Sequence, residues 1–205
     1  KKTIAGSGHK KDKKMKIRVQ VIVESDNGVV EVVQDIARLE RGQLRPEELG
    51  LTLAEAKGLL ESLQRTVVEQ QIAEYSKQQS SCSLCSKQRS HKGAHAIVYR
   101  TLFGKIELSS PRLFHCRCQP QPTRSFSPLA ELLAERTSPE ILYLEAKFAS
   151  LVSYGLSMKL FEEALPIGAE INASTIRNHT LEVAEKLESE LGDEQVFFIC
   201  KFRSS

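Results

Sequence analysis

The chain has no tryptophan and few aromatic residues of any kind, so its core must be built mainly from aliphatic side chains. It has no apolar run approaching the roughly 20 residues that a membrane-spanning helix requires. Its basic N-terminus lacks the apolar stretch of a secretory signal. Cysteine is scarce and odd in number, five in all, with Cys200 remote from the other four. A secreted disulfide framework pairs its cysteines, so this count argues against one. These absences are those expected of a cytoplasmic protein with no membrane association. Its 205 residues allow one ordinary domain or two or three small ones.

The remaining four cysteines form two tight pairs, Cys82-x-x-Cys85 and Cys116-x-Cys118. Two thiolate pairs on neighbouring turns can close a tetrahedron around Zn²⁺, which favours four soft or borderline ligands. Between them, His95–Thr101 and Ile106–Leu108 read as strands, with Phe103-Gly104-Lys105 as the turn. That layout is a zinc ribbon. The competing readings are two disulfides or unrelated buried thiols, and Cys-x-Cys is too short to make a comfortable core pattern. His91, His95 and His115 could substitute as ligands, though each reads as an ordinary surface histidine. A full thiolate set leaves no open position for water, so the expected zinc is structural.

Charge is strongly segregated along the chain. Residues 1–18 hold eight Lys/Arg against Asp12 alone, and residues 82–124 hold eight against Glu107 alone. Residues 19–81 hold six against eleven acids, and residues 125–205 seven against thirteen. Clustered cations neutralise phosphates and release counterions, so nucleic acid is the expected partner. Lys87, Arg89, Lys92, Arg100 and Lys105 are the candidate phosphate contacts in the cysteine segment. The lysine-rich leader reads equally as a solvated tail, and Met15 as a start, with residues 1–14 an upstream extension.

The alternation Ile17–Val23, the turn Asp26-Asn27-Gly28 and the β-prone run Val29–Ile36 predict a hairpin. Gly42–Gly50 reads as a loop. Thr52 followed by Glu55 is a capping box, opening a helix that runs to about Gln79. Its expected buried stripe is Ala56, Leu60, Leu63 and Val67, widened by Leu59, Ile72 and Tyr75. The heptad-like spacing also suits a homo-oligomer formed through 52–79. Gln119-Pro-Gln-Pro122 is a stiff polar linker.

Ser138-Pro139-Glu140 starts a helix that runs to about Ser153 and stops near Gly155. Ser157 is expected to cap a second helix, ending before Pro166. Asn172 is expected to cap a third, running to Leu191 with Gly192 as its stop. Ile176, Thr180, Val183, Ala184, Leu187 and Leu191 form its expected buried stripe. Three helices of this kind suit a helix-turn-helix, whose last helix offers its N-terminal residues to the major groove. Ser174, Thr175, Arg177 and Asn178 would face outward, and arginine and asparagine can pair bidentately with guanine and adenine. Glu162, Glu163 and Glu170 near the turn oppose this, and so does the long Pro166–Asn172 connection. Plain three-helix packing is the competing reading.

The chain is thus expected to be α+β: a basic tail (1–16), a hairpin plus helix (17–80), a zinc ribbon (81–119), a linker (120–137), a helix-turn-helix-like unit (138–192) and a terminal segment (193–205). Several long, collinear words then resemble the N-terminal half of bacterial insertion-sequence transposases of the ISKra type. They are Gly50-Leu-Thr-Leu-Ala-Glu-Ala-Lys57, Gln64-Arg-Thr-Val-Val-Glu-Gln-Gln71, Tyr99-Arg-Thr-Leu-Phe-Gly-Lys105 and Ser109-Ser-Pro-Arg112. Ser125-Phe-Ser-Pro-Leu-Ala130, Leu144-Glu-Ala-Lys147 and Asn172-Ala-Ser-Thr-Ile-Arg-Asn-His179 extend the likeness.

The resemblance implies a zinc-ribbon and helical region that binds double-stranded DNA at transposon ends. In that family it precedes an RNase-H-like catalytic domain with three acidic residues around two metals. Only Val196–Ser205 remains here for such a domain, and Asp193 and Glu194 have no third partner. The expectation is therefore a transposase fragment truncated before its catalytic domain and not itself an enzyme. The alternative expectation is a zinc-stabilised protein-interaction module, acting through the helix at 52–79 without DNA.

Overall fold

The computed structural model describes residues 14–24, 26–42, 44–118, 124–167 and 171–191. The expected tail up to Lys13, the linker Gln119–Pro122, Glu170, Gly192, Asp193, Glu194 and Cys200 lie outside them. The architecture is mixed α+β, with a two-stranded hairpin, a three-stranded sheet and five α-helices among the described residues.

Strands β1 (Met15–Glu24) and β2 (Val30–Arg41) pair antiparallel around the expected turn. Gly28 sits there at φ +73, a conformation that glycine adopts without a Cβ penalty. No described residue of either strand is fully buried. A two-stranded ribbon is marginal alone, and a polar clamp ties this one down. Arg41 donates to both carboxylate oxygens of Glu55, at 2.8 and 2.7 Å, and to the Gly50 carbonyl at 2.8 Å. Glu55 belongs to helix α1 (Leu53–Gln79) and also completes the expected capping box with Thr52. The Arg41 guanidinium, then the Thr52 amide, hold the Glu55 carboxyl down to about 2.

Strands β3 (His91–Thr101) and β4 (Gly104–Phe114) form the longer hairpin, pairing Thr101 with Gly104 at its tip. The Thr101 hydroxyl donates to the Gly104 carbonyl and accepts the Phe103 amide, closing the turn. Residues 125–137, placed in a linker by the sequence reading, are folded. Strand β5 (Ser125–Phe126) pairs with the end of β4, and helix α2 (Pro128–Leu132) buries Leu129. Val68 of α1, Ile97, Ile106 and Leu108 of the sheet and Leu129 of α2 make one core.

Helix α1 turns only part of its expected stripe inward: Ile72 packs against the core and Tyr75 reaches α2. Thr66 and Val68 are buried, while Leu60, Leu63 and Val67 of the expected stripe are exposed. Apolar residues are spread around this helix, so its own pattern fixes no phase. Contact with the sheet and α2 selects the face carrying Val68, Ile72 and Tyr75.

Helices α3 (Pro139–Ala149), α4 (Tyr154–Ala164) and α5 (Ala173–Leu191), with Ile167 and Ile171 from between α4 and α5, make a second core that also holds Ile141, Phe161 and Ile176. Leu102, at the tip of the β3–β4 hairpin, packs against it. Asn172 caps α5 as expected, its Oδ1 accepting the Thr175 amide at 2.8 Å. Two boundaries differ from the sequence reading. Helix α3 stops at Ala149, and α4 begins at Tyr154 with Ser153 as its N-cap. Ser157 is therefore no cap: it is buried inside α4, with its hydroxyl donating to the Ser153 carbonyl. Along α5 the buried stripe also ends early, for Ala184 and Leu187 are exposed.

Candidate metal centre and its basic surroundings

The Ser81–Gln88 bridge closes a turn just beyond α1. Within it the Ser86 amide donates to the Cys82 carbonyl and the Cys82 amide to the Lys87 carbonyl, both at 2.9 Å. Ser86 takes a left-handed φ of 57, which carries a Cβ penalty for any residue but glycine. The second pair follows β4 directly. Because β3 and β4 are antiparallel, the start of β3 and the end of β4 lie side by side, and the two cysteine pairs meet there.

All four sulfurs lie within 4.8 Å of one another. Cys82 to Cys118 is 3.5 Å, while Cys85 to Cys116 and Cys118 to Cys85 are each 3.4 Å. A tetrahedral ion with sulfurs at about 2.3 Å would space them about 3.8 Å apart. The cluster therefore needs only a slight expansion to hold a metal ion. Its electrostatics agree. The amides of Cys85 and Leu84 point at Cys82 and hold its thiol down to about 6. The Cys118 amide lowers Cys116 in the same way. Cys118 is pushed up to about 12 by the sulfurs of Cys116, Cys85 and Cys82. A bound cation would allow the last thiolate to form, and its uptake would then release protons.

The three histidines considered as substitutes are not in the cluster. His115 instead stacks on Phe126, with ring centroids 4.4 Å apart.

The candidate cationic residues separate into three groups. Lys87 and Arg89 line a cleft of about 580 Å³ beside the cysteines, together with Arg117 and Arg124. Arg89 is tied to the end of α1, donating to the Gln79 carbonyl at 2.8 Å, and its guanidinium lies over Phe126. Lys92 donates to the Ser125 hydroxyl and sits over the Phe114 ring. Arg100 and Lys105 are at the other end of the hairpin, in a separate cleft against α1 with Glu69 and Glu107. There, desolvation and then Arg100 lower the Lys105 ammonium. In α5, Ser174, Arg177 and Asn178 are exposed, whereas the Thr175 hydroxyl is engaged with Asn172.

Arg117, Arg124 and Phe114 are not among the residues expected from the sequence. A search for basic and aromatic residues flanking each cysteine pair would have found them. Glu145 and His179, likewise unexpected from the sequence, pair between α3 and α5. Glu145 is fully buried, and its Oε1 has no partner among the described residues. No helix among those residues is long and apolar enough to cross a membrane.

No family model matches the chain, and neither curated proteins nor solved structures give a match.

Proposed function

We propose that the chain binds double-stranded DNA through a zinc ribbon, as the end-binding region of an insertion-sequence transposase. The observation that carries this reading is the cleft beside the four cysteines, lined by Lys87, Arg89, Arg117 and Arg124 and, among the described residues, by no carboxylate. A divalent ion with four thiolates keeps two negative charges. Four cations exceed that, so the site remains positive when the metal is bound. Zinc suits the donor set, since four thiolates in a tetrahedron are one of its standard structural environments. The resemblance of several sequence words to ISKra-type transposases supports the proposed biological setting.

Phosphate contacts through this cleft make affinity fall steeply with salt, linearly on a logarithmic plot. Replacing Lys87, Arg117 and Arg124 with alanine is expected to weaken binding to all duplex sequences alike. It should also flatten the slope by about 1 for each phosphate that is no longer neutralised. An unchanged slope would reject the cleft as the phosphate-binding surface. Base reading is assigned to α5 as the last helix of a helix-turn-helix. Arg177→Ala is expected to cost about 1–3 kcal/mol on a transposon end and little on random DNA. The exposed Glu162 and Glu163 would repel flanking phosphates, so equal binding by the variant and the parent protein would make α5 a packing helix.

A second reading is favoured by α1, which leaves Leu60, Leu63 and Val67 exposed at heptad spacing. This face suits a protein partner or a second copy of the chain. A monomer at high concentration that captures no partner through α1 would reject it.

A further inference from the structure

The cysteine-side cleft holds rings as well as cations. Phe114 and His115 both line it. Phe126 lies in a different surface depression, with His95 and Arg112. His115, which lines the cleft, is stacked on Phe126 with a tilt of only 21°. Arg89 sits 5.1 Å from the Phe126 centroid, which helps fix the stack. Phe114 carries the Arg124 guanidinium at 5.7 Å and the Lys92 ammonium at 5.9 Å from its centroid. Cations held on rings lose little freedom when they take a phosphate, since their side chains are already placed.

A site that met only duplex backbone would need charge alone. Aromatic rings lining a cationic cleft are what single-stranded DNA uses, because every base has a π-face and stacks without regard to sequence. We propose that this cleft takes one unpaired nucleobase of a DNA strand on the ring of His115, with the neighbouring phosphates on Lys87, Arg117 and Arg124. The inference rests on the DNA-binding reading and adds to it. The cysteine end recognises a strand that is unpaired or frayed, as well as the duplex beside it. The metal has no direct role in the contact. Its turn sets where Lys87 stands, and the second cysteine pair sets where Arg117 stands relative to His115.

The test is fluorescence anisotropy on the full chain loaded with zinc, at a single salt concentration. Three labelled probes of equal length are compared: a thymidine strand, an abasic phosphodiester strand and a duplex. The thymidine strand is expected to bind about tenfold or more tighter than the abasic one. His115→Ala should remove that ratio by weakening the thymidine strand far more than the abasic one, in protein whose zinc content is measured alongside. His115→Phe, which keeps a ring, should restore it. Equal affinity for the thymidine and abasic strands, with duplex binding intact, would overturn the stacking site and leave the DNA-binding reading standing. Absence of all three affinities in the unmodified protein would overturn both. A ratio that survives His115→Ala would also overturn the assignment.

Discussion

Between Ser81 and Ser90 only Cys82 is buried, whereas α3, α4 and α5 close on five buried apolar side chains, four isoleucines and Phe161. The cysteine end buries little apolar surface and instead brings four sulfurs to one point, where a metal ion would supply the stabilisation that packing does not. The helical unit depends on close-packed aliphatic volume. Two regions of one chain are therefore held by different forces, and agents that weaken one should spare the other. Their meeting place is the β3–β4 hairpin, which has the cysteines at one end and Leu102 in the helical core at the other.

The largest expected effect tests the cysteine side. Cys82→Ser removes the buried member of the candidate site and should abolish metal binding, seen as the absence of the thiolate-to-metal absorption that Co²⁺ is expected to give with the parent protein. Structural zinc contributes on the order of 10 kcal/mol in small metal-held modules. Amides of residues 81–90 should then exchange freely while those of α3–α5 stay protected. Loss of protection in both regions would show that the two are coupled.

The reciprocal experiment is Ile176→Ala, at a side chain with no exposure. It should cost about 2–5 kcal/mol of stability in the helical unit by removing buried methyl groups and leaving a cavity. The cobalt spectrum of the cysteine site should not change. A shifted spectrum would mean that packing at α5 reaches the metal turn through the hairpin.

A smaller effect is expected at the buried pair between α3 and α5. The Glu145 carboxylate, by accepting a hydrogen bond, raises the His179 imidazole above its ordinary value of 6.5. The stabilisation is fully present below 6.5 and is lost as pH rises through the higher folded value. Glu182 also raises His179, while desolvation and Arg100 oppose the shift. Glu145→Gln should flatten this part of the pH–stability curve and cost about 1–3 kcal/mol at mildly acidic pH. Thermal melts of the parent and the variant across neutral pH decide it. Parallel curves would remove the pair from the helical unit's stability.

The smallest expected effect is a gain. Ser86 holds a left-handed conformation at the cysteine turn, so Ser86→Gly should stabilise that turn by up to about 1 kcal/mol. Zinc competition with a chelator should show slightly tighter retention. Weaker retention would indicate that the serine side chain supports the turn.

What could be read directly from the sequence was local. Thr52 with Glu55, Asn172 before α5, and Asp26-Asn27-Gly28 each specify a cap or turn through atoms a few residues apart, and each is found where expected. The helix starts behind Ser153 and Ser157 were harder, because both serines are plausible caps and only packing decides between them. Ser157 lost because α4 begins a turn earlier and places that hydroxyl in the interior. Strand β5 and helix α2 were not legible in the sequence because their short segments owe their shape to β4 and α1.

By itself, the sequence determined the spacing within each cysteine pair, the helix caps, the glycine turn and the concentration of positive charge around the cysteines. Tertiary structure alone decided which face of α1 points inward, that Glu145 meets His179, and that His115 stacks on Phe126 beside four cations. The division follows from range. A cap or a turn is a contract between neighbours and can be read in a few residues, whereas burial belongs to two surfaces at once. A helix with apolar residues on several sides, such as α1, has no inside until something is packed against it.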